Sequence, residues 1–396
     1  MANGLETYTV IELTQGDAAA LAAEYLALNG MRVIKVLAPG TVCTAKEERA
    51  PYVINNLNKQ CVTLDVTKDA GRGVMLRLLE KADALIEDAP YGAMDAMGLG
   101  YADVKAVNPR LIYASLKPYP KDSPWRDLPA TVTTLGAMGG ATYLNGYKGY
   151  EPLTSGPNLP DTTSAAFLAT GITACLYRRE SDGEGRLLEV NQQEAMIAHC
   201  RSAFAAWYSK PTKNVRAGNG SPTLASIAPM DMYPTKGTPG EENFVMLGCK
   251  DEDMFHKLAD AIGQPELKED PRFLTWRERQ ENIAALTEIL TAYTLQHDKF
   301  ELMEYLLKER RIICSAVQTL DDVIANEELR QTGMLQKLDD PVLGEIWAPT
   351  WPAISDANRI RAAAPDEPGA ANEAVYGTLL ALSPDELAAL RDAQVM

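Results

Sequence analysis

Between residues 8 and 36 the chain runs Tyr8-Thr9-Val10-Ile11-Glu12-Leu13, then an Ala/Leu-rich stretch, then Arg32-Val33-Ile34-Lys35-Val36. Two short β-branched runs separated by a helix-length apolar span form a βαβ unit of about 30 residues. Such a crossover joins parallel strands, and its helix has to cover one face of their sheet. Asp17 is placed to cap that helix, which ends near Asn29-Gly30, where glycine suits the residue after the C-cap. The pattern recurs. Thr67 and Asp69 precede a helix through Leu78-Leu79, and Ala84-Leu85-Ile86 is strand-like. Residues 101–107 read as a short helix stopped near Pro109, and residues 111–116 as another strand. This alternation predicts an α/β fold around a parallel, doubly wound sheet.

Beyond residue 120 the reading changes. Pro118, Pro120, Pro124 and Pro129 punctuate an irregular segment, after which a long apolar helix is predicted over 163–178. Ser181-Asp182-Gly183-Glu184-Gly185 is a turn, 187–190 a strand and 192–208 a further helix. The Gly/Pro/Lys-rich stretch 210–222 marks a boundary. A strand over 243–247 and helices over 253–262, 280–294 and 299–308 follow, the pattern of a smaller α/β domain. The last segment, 320–396, mixes short helices with Pro-rich stretches and closes on a helix start at Ser383-Pro384-Asp385-Glu386.

Much chemistry is excluded. The 54 acidic and 38 basic residues give a net charge of −16, which brings no general attraction for nucleic acid or anionic lipid. No apolar run approaches the ~18–20 residues of a membrane span, and the N-terminus lacks the basic and apolar regions of a signal peptide, so a cytoplasmic location is expected. Six dispersed cysteines without a CxxC pair read as reduced thiols. His199, His256 and His297 lie far apart, each on a helix or its edge, and no metal site is expected. HExxH, GxxxxGK[ST] and GxSxG motifs are absent. The first βα turn, Thr14-Gln15-Gly16-Asp17, has one glycine and an acid where a dinucleotide pyrophosphate would sit, which argues against a nicotinamide-dependent dehydrogenase.

Asp161 stands out. It follows Pro160 and precedes Thr162, Thr163 and the long apolar helix. An aspartate there is either the helix N-cap or a carboxylate nucleophile kept ionised by the helix dipole, and spacing does not choose between them.

Several segments together resemble the class III CoA-transferases of the formyl-CoA:oxalate and carnitine type. They include residues 10–14 and 30–35, Asn56-Leu57-Asn58-Lys59 running into Val62-Thr63-Leu64-Asp65, and Glu87…Gly92…Met94…Met97-Gly98-Leu99. Asn108-Pro109-Arg110-Leu111-Ile112, Gly183-Glu184-Gly185-Arg186, Gly218-Asn219 and Asp270-Pro271-Arg272-Phe273 complete the set. The resemblance runs from about residue 8 to the C-terminus. It implies a Rossmann-like large domain made from both chain ends (1–210 and 325–396), a linker (211–222), a smaller α/β domain (223–324), and two subunits threaded as an interlocked-ring dimer. It also implies a mechanism without a bound cofactor, with a CoA thioester as substrate. An aspartate attacks the thioester carbonyl to give a mixed anhydride and CoA thiolate; the thiolate returns to give an aspartyl-CoA thioester; CoA then passes to an acceptor carboxylate. Asp161 falls on the position of that aspartate.

The CoA contacts of the family do not carry over. Its Gln in the first βα turn matches Asp17, and its basic residue after the second strand matches Ala38. Its Glu-Asn-Phe segment becomes Glu87-Asp88-Ala89, followed by Pro90 and Tyr91, and its phosphate-gripping Arg is Ala96. Contacts upstream of Gly139-Gly140 become Pro129 and Thr131, and the Gly-Glu-His-Thr motif becomes Gly369-Ala370-Ala371-Asn372. Only backbone-type contacts at Leu64, Asp65, Val66 and Thr67 look preserved. Each charge-assisted bond to phosphate contributes about 1.5–3 kcal/mol. Losing two or three therefore weakens binding by roughly two to six decades. The expectation is a subunit of a heteromeric enzyme, such as the benzylsuccinate CoA-transferase type, whose CoA site lies in a related partner subunit. Gly218-Asn219-Gly220-Ser221 is a loop it would lend to that partner. A self-sufficient homodimer using Asp161 and a non-catalytic scaffold are the alternatives. A racemase of the same superfamily needs a histidine before Gly139, and the first histidine is His199.

Overall fold

A computed structural model describes residues 5–147, 149–209, 216, 218–219, 227–237, 243–354 and 360–396. The chain divides into two compact units. One comprises Met1–Ala141, Thr154–Cys200 and Glu327–Met396, the other Thr142–Leu153 and Arg201–Asn326. Of the expected 211–222 linker, all but Arg216, Gly218 and Asn219 lies outside the described residues, as do Gly220 and Ser221 of the expected loop.

The larger unit is built on six parallel strands: β1 (Thr9–Leu13), β2 (Arg32–Leu37), β3 (Gln60–Thr63), β4 (Ala84–Glu87), β5 (Ile112–Lys117) and β6 (Arg186–Asn191). Their order is β3-β2-β1-β4-β5-β6, so the winding reverses between β1 and β4. In such sheets the ligand crevice opens at the carboxyl ends of the strands beside that reversal.

Alternation along the strands assigns side chains to two faces. Val10, Val33, Ala84, Ile86, Ile112 and Ala114 pack with helix α1 (Asp17–Ala27) and the long helix Leu159–Asp182. Ala18, Ala19, Ala22 and Ala23 meet Ala165, Leu168, Ala169 and Ile172 in one cluster, and the alanines let the two helices lie close. On the opposite face Ile11, Ile34, Val62, Leu85 and Tyr113 pack with α3 (Asp69–Glu80) and with Val375, Tyr376, Leu387 and Val395. Both faces are therefore covered across β1 to β5, as a parallel sheet requires, while the edge strand β6 stays half-exposed.

The C-terminal segment is tied in by polar contacts as well. Arg49, in α2 (Lys46–Ile54), is buried and pairs with Asp340 at 2.7 Å and Glu367 at 2.5 Å. Asn372 accepts from Thr63 N–H and donates to Thr63 Oγ1, both at 2.9 Å. Asp65 N–H donates to Val395 O at 2.7 Å. Gly185 explains the Gly-x-Gly turn before β6: a Cβ there would lie 2.2 Å from Leu111 O.

The smaller unit carries three antiparallel strands, β7 (Met230–Pro234), β8 (Phe244–Gly248) and β9 (Ile313–Ala316), in that spatial order. Tyr233, Val245, Leu247, Phe255, Leu258, Leu286 and Leu290 form its core. Arg279, fully buried there, donates to Ala228 O at 2.6 Å and Phe273 O at 2.9 Å and pairs with Glu252 at 2.5 Å.

Four local expectations are corrected. Gly16, not Asp17, is the N-cap of α1, and Asp17 opens the helix. The helix expected over 163–178 begins at Leu159, with Pro160 in its first turn, where a proline costs no hydrogen bond. The helix expected over 192–208 is two, Gln192–His199 and Arg201–Ser209. The C-terminal stretch also holds a β-hairpin, β10 (Leu335–Asp340) with β11 (Gly344–Pro349).

Candidate active site

A cavity of about 870 Å³ opens at the carboxyl ends of the strands. Leu13, Leu37 and Asp88, which end or follow β1, β2 and β4, lie in its wall together with 64–67 after β3. It thus occupies the crevice that the winding reversal predicts. No helix among the described residues is long and apolar enough to cross a membrane.

The wall is acidic. Among the described residues Asp17, Glu48, Asp65 and Asp88 line it, against a single basic residue, Lys35. That lysine is committed elsewhere: strand register sets it opposite Glu12, and its ammonium pairs with the Glu12 carboxylate. Glu12 is fully buried and also pairs with Lys59 at 2.7 Å. Burial pushes the Glu12 carboxyl up, but Lys35 and Lys59 outweigh it and hold the group below its ordinary range. Lys59 donates further to Ala20 O at 2.7 Å, Asn55 O at 2.9 Å and Asn56 Oδ1 at 2.8 Å. Nearby, Glu24 accepts from Leu57 N–H at 2.8 Å, and burial raises its carboxyl to about 8.

Asp88 follows β4 and reaches back to the first βα turn. Its Oδ1 accepts from Gln15 N–H at 2.9 Å, and its Oδ2 from Gly16 N–H at 2.6 Å. Burial raises the Asp88 carboxyl despite these bonds, with Glu87 and Glu12 adding like charge. The sequence reading put the obstructing acid of this turn at Asp17; in the structure it is Asp88 that sits on the turn's backbone donors. A glutamine, Gln15, does stand in the turn, two positions before the expected one.

Asp161 does not line the cavity among the described residues. It is buried in the first turn of the long helix, 9 % exposed, and is not that helix's N-cap; Asn158 is. Its Oδ1 accepts from Gln192 Nε2 at 2.8 Å rather than from backbone at the helix start. Burial, together with the charge of Asp17, raises its carboxyl above the ordinary value.

The structure gathers Asp17, Ala38, Leu64, Asp65, Val66, Thr67, Asp88, Ala89 and Pro90 in one wall. The backbone of the 64–67 segment is largely engaged: Leu64 N–H bonds Leu37 O at 2.8 Å, Asp65 N–H bonds Val395 O, and Thr67 N–H bonds Asp65 Oδ1 at 3.1 Å. Ala96, Pro129 and Tyr91 are not in that wall; Tyr91 donates to Glu189 at 2.9 Å, and Thr131 caps the helix Val132–Met138. Sequence reasoning missed Lys35, Glu48 and Gln192. The alternation of β2 marks Lys35 as a residue inside a strand, but nothing local signals that Gln192 meets Asp161.

Comparison with known proteins agrees with this architecture. The chain resembles the succinyl-CoA–D-citramalate CoA-transferase of Chloroflexus aurantiacus, 27% identical over 99% of this chain and 98% of that one. It resembles the formyl-CoA:oxalate CoA-transferase of Streptomyces coelicolor at 26% identity over the full length of both. Among solved structures, a CaiB/BaiF family protein from Brucella suis superposes with a TM-score of 0.85 at 25% identity, over 96% of this chain and all of that one. Residues 5–371 match CoA-transferase family III, and the chain belongs to that family of CoA-transferases.

Proposed function

We propose that this chain is a subunit of a class III CoA-transferase, which moves CoA from an acyl-CoA thioester to a carboxylic acid, and that it works beside a related subunit which holds the CoA. The observation that carries this reading is the charge of the cavity wall, four carboxylates against one lysine already paired with Glu12. Two like charges about 5 Å apart at an effective dielectric of about 20 repel by roughly 3 kcal/mol. One such repulsion cancels one or two charge-assisted bonds to phosphate, at about 1.5–3 kcal/mol each. Among the described residues of that wall, the phosphates of CoA would meet several carboxylates and no free basic partner. Interlocking of the two subunits and an acceptor of the benzylsuccinate type belong to the same reading.

Calorimetric titration of the isolated chain with CoA tests it, with binding no tighter than millimolar expected. A micromolar dissociation constant overturns it. Mass spectrometry of the natively purified complex should show two different, related chains.

A second reading has its own support. Asp161 is buried, with one oxygen oriented by Gln192, and its other oxygen accepts no hydrogen bond among the described residues. That is the arrangement of a held nucleophile. It favours a homodimer that carries out the transfer itself.

A further inference from the structure

The backbone N–H groups of Gln15 and Gly16 lie at the head of α1, an 11-residue helix whose N-cap is Gly16. Adjacent donors at a helix start, beside the winding reversal of a parallel sheet, are the arrangement that takes a phosphate or carboxylate. Here an anion of the chain itself already holds them. Asp88 Oδ2 lies 2.6 Å from Gly16 N and 3.1 Å from Gln15 N, and Oδ1 lies 2.9 Å from Gln15 N.

Two further features keep it there. The residues beside Asp88 are fixed: Lys117 Nζ donates to both oxygens of Glu87 at 2.8 Å, and Ala89 N–H donates to Glu87 Oε2 at 2.9 Å. Residue 16 is glycine, and a Cβ there would stand 3.0 Å from Asp88 Oδ2, tight enough to push the carboxylate back by a few tenths of an ångström. Asp88 and residues 15–17 share the wall of the same cavity, so the carboxylate competes directly with whatever enters. An occupant attached to the chain acts at an effective concentration of about millimolar or above.

We propose that Asp88 is the specificity-determining residue of this cavity: it fills the anion cradle of α1 and reserves the cavity for ligands that carry no phosphate or carboxylate at that end. This rests on the reading that the chain lacks a competent CoA site, and names the residue responsible. With Asp17, Glu48 and Asp65 in the same wall, the groups that fit are neutral or cationic hydrogen-bond donors such as hydroxyls, amides and amines.

The test is Asp88→Asn in the full chain, titrated calorimetrically with pyrophosphate and ADP as anionic probes and adenosine as the neutral one. Asparagine keeps one carbonyl acceptor for the turn, removes the charge and offers an NH₂ to an incoming anion. Pyrophosphate and ADP should bind the variant at least tenfold more tightly than the wild type, while adenosine changes less than threefold. Adding Gly16→Ala, which sets a methyl group beside the N–H pair, should abolish the gain. Asp88→Ser gives the same reading should the asparagine variant melt early. Unchanged anion affinity in both variants, an equal gain for adenosine, or a gain that survives Gly16→Ala overturns the proposal. Micromolar CoA binding by the wild type removes the parent reading too. A wild type blind to CoA with no gain in the variants removes this inference alone.

Discussion

Glu12→Gln probes the ion cluster beneath the cavity. Glu12 is fully buried between Lys35 and Lys59, whose side chains are 8% and 0% exposed. Glutamine matches its size and still accepts from Thr14 Oγ1, which lies 2.7 Å away. What it removes is the charge, leaving two ammonium groups without their counter-ion. Breaking a buried pair from one side costs about 3–5 kcal/mol. Lys59 keeps three neutral acceptors and Lys35 borders the cavity, so the lower end, about 3 kcal/mol, is expected. Against a total stability of about 5–15 kcal/mol this is large. At about 2–4 °C per kcal/mol it corresponds to a melting temperature lower by roughly 6–12 °C. Urea and thermal denaturation followed by circular dichroism measure it. The double variant Glu12→Leu/Lys35→Met removes the pair together and should cost less than the sum of the single changes. Because the Glu12 carboxyl is held below its ordinary value, its contribution is present above that value and fades as pH falls through the lowered one. The gap between wild type and Glu12→Gln should therefore narrow in acid. A loss under about 1 kcal/mol at neutral pH would refute the reasoning.

Three further outcomes are expected. Asp161→Asn keeps an oxygen for Gln192 and should shift stability by under about 1 kcal/mol; turnover of the purified complex should stay within a few-fold, whereas a fall of several decades with an unchanged melting temperature would make Asp161 the nucleophile. Gly185→Ala forces a Cβ against Leu111 O and should destabilise by more than about 2 kcal/mol in urea titrations, a wild-type midpoint counting against it. Glu24, raised to about 8, contributes stability that is full below its ordinary value near 4.5 and is lost as pH rises through 8. Glu24→Gln should flatten that decline between pH 5 and 9, and parallel curves for the two proteins would argue against a buried, protonated Glu24.

The sheet was legible where a strand's pattern is its own. β1, β2, β4 and β5 announce themselves because burial on both faces demands apolar runs, whereas β6, a half-exposed edge strand, is marked by the Gly183-Glu184-Gly185 turn before it. β3 has four residues and sits among Asn, Lys and Thr, too short to show a period. In β10 the buried positions are Leu335, Leu338 and Asp340, and Asp340 is inside only because Arg49 arrives from 291 residues earlier. The site divides in the same way. The acid content of the segments after β1, β3 and β4 could be read directly, and with it the poverty of cations. That Asp88 would bond Gly16, 72 residues away, or that Gln192 would hold Asp161 across 31, depends on closure of the sheet and has no local signature.

Closing the sheet from both ends also sets a timetable for the growing polypeptide. The face carrying Ile11, Ile34, Val62 and Leu85 is emitted early, yet part of its cover, Val375, Tyr376 and Leu387, is made about 300 residues later. At about 5–20 residues per second, the roughly 300 residues between Val74 and Val375 take about 15–60 s to synthesise. For that interval the nascent sheet stands with one side partly bare at the ribosome. Chaperone occupancy measured on stalled chains carrying a C-terminal spacer should therefore persist past residue 330 and fall only once residues 371–395 have emerged from the exit tunnel.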